Sequence, residues 1–187
     1  MRLLVPAGAA RVRSNDTDHP YRAHSAFSYL TGWGSDAVPD SVLLFEPVGD
    51  GHEATLYFRA AAGRDTTEFY ANAAIGEFWT GPRPSLAHVA ADLGLETRPL
   101  SELEAPGERV LVLRGVDEAA DELGEASAAE AELLRAVSEL RLVKDEYEIA
   151  ELRAAIDATR AGFDDVIADF PQIIAHPRGE RLVEGTF

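Results

Sequence analysis

The chain has 187 residues, is 46% hydrophobic and 27% charged, and carries a net charge of −16 with no cysteine. That length accommodates one sizeable core and a fragment of a second domain. The composition excludes much: no apolar run approaches the roughly 18 residues of a membrane span, residues 1–6 are too short for a secretory signal, the acidity repels nucleic acid and anionic membrane, and disulfides and thiolate metal sites are impossible, which fits a cytoplasmic protein.

In chain order, residues 3–5 read as an apolar strand that residues 9–12 continue past Pro6 and Gly8. Residues 14–32 combine a polar turn-forming run, an aromatic-basic step and a short apolar turn. Asn15, Asp16 and Asp18 can bond their own backbone, and Pro20 keeps His19 out of helical angles. Ser25 is expected to cap a short helix carrying Phe27 and Leu30 inward, with Gly32 in the left-handed position beyond it. Such a loop would present Asp16, Tyr21, Arg22 and His24 outward, and a purely structural loop accounts equally well for the same residues.

Residues 41–45 and 54–59 flank Pro47-Val48-Gly49-Asp50-Gly51 and predict an antiparallel hairpin. The first run is apolar enough for burial on both faces, near the middle of a sheet. Residues 63–74 turn into a short helix carrying Phe69 and Tyr70. Residues 84–94 predict a cleaner one, with Leu86, Val89, Ala90 and Leu93 on one face. Residues 109–114 form a buried strand bounded by charge, so the expected fold class is α/β, a mixed sheet flanked by helices.

Residues 117–132 hold seven acidic side chains and no basic one. They read as a solvated linker entering a helix at Ser127, with Glu130 placed for a capping box; Leu133, Leu134, Val137 and Leu140 follow at helical spacing and Lys144 closes it. Asp145 and Glu148 make a second capping box, opening a long helix seamed by Ile149, Leu152, Ile156, Thr159, Phe163, Val166 and Phe170 and ended by Pro171. It would run roughly 37 Å, and the residues after it cannot cover such a stripe. Another body must cover it, or the sequence has been cut.

Sites of chemistry are sparse. There is no His-Glu-x-x-His and no phosphate-cradling glycine loop. Asp16, Asp18, His19 and His24 form the nearest metal-like cluster, which turn formation explains without a metal. His52, His88 and His176 are isolated, and Asp164 and Asp165 point about 100° apart on a helix. Phe78-Trp79 before Gly81-Pro82 reads as a core aromatic pair entering a turn.

Four ordered blocks carry a resemblance. Asp16, Tyr21, Ser25, Phe27, Tyr29, Thr31 and Gly32 match the pattern Asp…Tyr-x-x-x-Ser-x-Phe-x-Tyr-x-Thr-Gly. The others are Glu77-Phe78-Trp79-Thr80-Gly81-Pro82-Arg83, then Leu140 through Ile149, then Gly179 through Phe187. Together they resemble the creatinase/prolidase N-terminal domain of the Xaa-Pro aminopeptidases. The resemblance implies a ribonuclease H-like α/β domain over residues 1–126, a connecting helix over 127–144, and over 145–187 the first helices of a pita-bread catalytic domain. Phe187 would then be an arbitrary end, and Met1 an internal start.

It also implies a division of labour. The parent would hold two divalent metals, manganese by family habit, on ligands beyond Phe187, so this chain would carry no cofactor and no catalytic residue. Its partners would be its own catalytic domain, further copies of itself and a proline-containing peptide. Trp79 and Arg83 would shape a neighbouring subunit's substrate entrance, with Asp16 and Arg22 fixing the adjacent loop; Pro82 replaces a basic residue often found there. Two rivals stand: a stand-alone interaction module using the long helix, and the N-terminal domain of a prolidase or creatinase.

Overall fold

A computed structural model describes residues 1–15, 17–104 and 110–187. They form two compact units, Met1–Leu140 and Arg141–Phe187. In the first, β1 (Arg2–Pro6) leads to a small ribbon of β2 (Val12–Ser14) and β3 (Thr17–Asp18), followed by α1 (Ser25–Thr31). β4 (Val42–Val48) and β5 (Gly51–Phe58) form a hairpin whose Gly49 takes φ +58°. The short α2 (Glu68–Ala71) and α3 (Glu77–Thr80), then α4 (Leu86–Leu93), precede β6 (Glu96–Pro99). β7 (Val110–Val112), α5 (Glu118–Asp121) and α6 (Ala129–Leu140) complete the unit.

The five-stranded sheet has the order β6-β5-β4-β1-β7. Its β1–β4 and β4–β5 pairs are antiparallel and its two outer pairs parallel, so the sheet is mixed, as expected. β4 occupies the centre because Val42, Leu43 and Leu44 point alternately into two cores. One core gathers Val5, Leu43, Leu56 and Phe58 with Phe27 of α1, Val89 of α4 and Val137 of α6. The opposite face packs Leu4, Val42, Leu44, Tyr57 and Val112 against Ala120 of α5. Each buried valine, leucine or phenylalanine here contributes about 1.5–3 kcal/mol by leaving water.

Several expectations are corrected. Residues 9–12 do not continue β1. Gly8 sits at φ +92°, and the carbonyl it offers is taken by the Tyr21 hydroxyl at 2.9 Å and the Asp40 amide at 3.0 Å. Tyr21 therefore points inward rather than outward. His24, not Ser25, caps α1 by accepting from the Ala26 amide at 3.3 Å. Gly32 does take the left-handed cap.

The acidic run is not a plain linker. Asp117 caps α5, and Glu130, 9% exposed, accepts from Arg114 Nε at 2.6 Å as well as from the Ser127 backbone amide, the bond expected of it. Arg114 also donates to the carbonyls of Asp121 and Gly124, tying the segment back to β7. α6 ends at Leu140, short of Lys144.

The second unit consists of α7 (Glu146–Ala168), α8 (Phe170–Ala175) and α9 (Gly179–Thr186). The capping box at Asp145 and Glu148 is fully formed. Pro171 lies in the first turn of α8, where its missing N–H is tolerated, so α7 ends before it. Phe163 meets Phe187 edge-on at 5.2 Å, whereas Ile149, Leu152 and Ile156 are exposed.

Candidate functional site

α2 and α3 are single turns, too short to persist on their own propensity. Their junction is close: a Cβ on Gly76 would lie 2.7 Å from the carbonyl oxygens of Glu68, Phe69 and Asn72, all backbone, so only glycine fits. Gly76 then caps α3, and Gly81 closes it at φ +90°.

A polar frame holds this piece. The Glu77 carboxylate accepts from the Ala62 amide at 2.7 Å and the Gly63 amide at 3.4 Å through Oε2, and from the Arg83 amide at 3.2 Å through Oε1. Burial pushes this carboxyl up, but the three amides and the Arg83 charge outweigh burial and leave it below its ordinary value. Arg83, whose side chain is 8% exposed, donates to Glu68 Oε1 and to the Ile75 carbonyl, each at 2.5 Å. Among the described residues its buried Nε has no partner.

The frame presents aromatic rings to solvent. Phe78 is 64% and Trp79 59% exposed, which overturns the reading of this pair as core. Trp79 is nonetheless oriented, because its Nε1–H donates to the Tyr70 carbonyl at 2.9 Å and its ring meets Phe78 edge-on at 5.1 Å. Phe69 meets Phe78 in turn at 6.4 Å.

Beside the frame lies a cavity of about 440 Å³ lined by Tyr21, Asp36, Asp40, Arg59, Ile75, Pro82 and Arg83, among others. Asp40 sits at φ +63°, a conformation that aspartate tolerates better than most residues. Burial, then the charge of Asp117, push its carboxyl above its ordinary value, with Arg59 opposing. Burial, Asp40 and Asp117 likewise raise the Tyr21 phenol, which stays protonated as a donor to Gly8.

Of the sequence-predicted residues, Trp79 and Arg83 share one block, but only Arg83 reaches the cavity. Arg22 is exposed and lines a separate groove with Ser25, Ser28 and Ser35. Asp16 lies outside the described residues. Sequence reasoning placed Glu77 and Tyr21 in the matching blocks without giving them these bonds, and it missed Glu68, Asp40 and Arg59. The Pro39-Asp40 step before a strand was a turn signal for one of them; the other two carried none.

Among the described residues no three His, Asp or Glu side chains gather to hold a metal. His24 is spent as a helix cap, and His88 pairs with Asp92 at 3.2 Å. Among the described residues no helix is long and apolar enough to cross a membrane.

Comparison with known proteins gives consistent matches. Residues 2–114 match the family model described as aminopeptidase P, N-terminal domain. All of the chain aligns at 42% identity with Xaa-Pro aminopeptidase 1 of Streptomyces coelicolor, over 38% of that protein's length. It aligns at 41% with Xaa-Pro aminopeptidase 2 of the same organism, over 40% of its length. A zinc-substituted Escherichia coli aminopeptidase P in complex with product superposes with a TM-score of 0.64 at 26% identity, over 88% of this chain and 40% of that one. The chain thus spans about two fifths of the length of the relatives it matches.

Proposed function

The chain belongs to the aminopeptidase P family, matching its N-terminal domain, and from that premise we propose that it is the non-catalytic N-terminal domain of a cytoplasmic, metal-dependent Xaa-Pro aminopeptidase. The parent removes an N-terminal residue that precedes proline. Its two divalent metals, manganese in our reading, sit on a catalytic domain whose first helices are residues 145–187, after a domain over 1–126 and a connecting helix over 127–144. The exposed apolar face of α7 is covered by that catalytic domain, and the enzyme is a homo-oligomer.

The observation that carries this reading is Trp79. An indole 59% exposed, yet fixed by a hydrogen bond to Tyr70 and by the frame around Glu77 and Arg83, is suited to packing on a proline ring at a substrate entrance. Arg83 supports the entrance from beneath: its guanidinium is engaged by Glu68 and the Ile75 carbonyl, so it orders the block rather than reaching outward. Asp16 and Arg22 belong to the loop we assign to the same rim.

The test joins this chain to the remaining C-terminal portion of the Streptomyces coelicolor relative. The chimaera should cleave an Xaa-Pro peptide in the presence of manganese, and the 187-residue chain alone should not. Metal-dependent cleavage by the chain alone would overturn the division of labour.

A further inference from the structure

Trp79 projects from a helix of four residues that has no buried side chain of its own. Its ring is oriented by the Nε1–H bond to the Tyr70 carbonyl and the edge contact with Phe78, so its direction depends on what holds α2 and α3 together. Around it, one carboxylate satisfies three backbone amides drawn from two separate chain segments, residues 62–63 before α2 and residue 83 after α3. Those segments are the two ends of the excursion that carries α2, Gly76 and α3. Glu77 itself is the first residue of the helix bearing Trp79.

The carboxylate is therefore a clasp: it closes the excursion at its base and, through its own backbone, sets where α3 starts. Arg83 completes the closure by reaching Glu68 and the Ile75 carbonyl on the inner side. We infer that Glu77 is a positioning residue for Trp79, holding the indole in the one orientation that serves the substrate entrance. This inference rests on the entrance reading for Trp79, which it deepens by naming the group that makes it rigid.

The chemistry explains why glutamate is required. An ionised carboxylate is acceptor-only, and both of its oxygens face N–H donors here. In Glu77→Gln the side-chain volume is unchanged, but one end of the amide becomes an NH₂ facing a backbone N–H. Either the bond to Arg83 or the pair to Ala62 and Gly63 is then lost, whichever way the amide turns. The base of the excursion opens while the sheet and its core are untouched.

The two tryptophans make this measurable. Trp33 is 6% exposed, packed against Phe58 at 5.1 Å, and reports the core; Trp79 reports the clasp. Each gives one indole N–H resonance in a nitrogen-correlated spectrum of the 187-residue chain. In Glu77→Gln the order parameter of the Trp79 indole should fall from roughly 0.85 to below about 0.6, values that separate rigid from flexible groups, while Trp33 stays unchanged.

In the unsubstituted chain, the Ala62 and Gly63 amides should exchange with solvent at least about tenfold more slowly than free peptide, as a bonded amide does. That measurement needs no variant and stands even if Glu77→Gln fails to fold. Amides exchanging at free-peptide rates, or a Trp79 that stays rigid in a folded Glu77→Gln chain, would overturn the assignment.

The functional half is read in the chimaera. Glu77→Gln should raise KM for an Xaa-Pro peptide severalfold with kcat less affected, in the same direction as Trp79→Ala. If Trp79→Ala raises KM and Glu77→Gln does not, the positioning role is overturned while the entrance reading survives. If neither raises KM although the indole loosens, the entrance reading fails and takes the functional role of the clasp with it.

Discussion

The two tryptophans of this chain are held by different physics. Trp33 is wedged between Phe27 at 6.4 Å and Phe58 at 5.1 Å, inside the core on one face of the sheet. Among the described residues Trp79 meets one ring, that of Phe78, edge-on, and is otherwise held by its bond to the Tyr70 carbonyl, in a segment that the Glu77 carboxylate closes at its base. Apolar burial fixes a ring by removing it from water, whereas a polar frame fixes it while leaving its face available. Only the second arrangement leaves a ring face free to meet another molecule.

Substitution should break the comparison at its strong end first. Trp33→Ala is expected to lower stability by about 3–5 kcal/mol, the range for large aromatics lost from a core, read as a fall in denaturant midpoint. Arg114→Ala should destabilise by about 3 kcal/mol, because it strands Glu130 in a buried site. Gly76→Ala sits at the boundary between the two regimes. Its methyl meets three backbone oxygens that cannot swing aside, and overpacking of this kind costs about 1–3 kcal/mol. Its effect should show as displaced Trp79 and Phe78 resonances with those of Trp33 unmoved.

At the weak end, Trp79→Ala should change stability by less than about 1 kcal/mol, as exposed positions do. Asp40 sharpens the contrast through pH. Its folded-state carboxyl is raised above the ordinary 3.8, so it contributes stability that is fully present below pH 3.8 and is lost as pH rises through the folded value. Asp40→Asn removes that titration and keeps a residue that tolerates φ > 0. The variant should therefore melt higher than the unsubstituted chain at neutral pH, and the difference should vanish at acid pH. Glu77 and Glu130 have the opposite sign: their carboxyls lie below the ordinary 4.5, so their contribution is present above that value and lost on acidification.

The same contrast explains what could be read from the sequence. The centre of the sheet was legible because residues 42–45 are continuously apolar, and the hairpin because Gly49-Asp50 supplies the turn. α4 and the capping box of α7 followed from local chemistry that the fold leaves intact. β6 was not legible: Glu96-Thr97-Arg98-Pro99 has no apolar alternation and becomes a strand only by pairing with β5 at the sheet edge, where proline is tolerated.

The candidate site was legible only in part. Hydrophobicity alone sends Phe78 and Trp79 inward, and what keeps them out is a set of bonds between residues far apart in sequence, from Ala62 to Arg83. Glu130 was legible in half of its role: its spacing from Ser127 gives the bond to that backbone amide, but its ion-pair partner Arg114 lies on the far side of α5 in the chain. The resemblance singled out Trp79 where local patterning sent it into the core; its exposure agrees with the entrance role proposed for it.

The most direct measurement compares Trp79→Ala with the unsubstituted sequence in the chimaera, recording kcat/KM for an Xaa-Pro peptide and the melting temperature of the same preparations. The account predicts a loss of at least about tenfold in kcat/KM, equivalent to ~1.4 kcal/mol of transition-state stabilisation, with the melting temperature within a few degrees. Unchanged kcat/KM in a folded variant would contradict it.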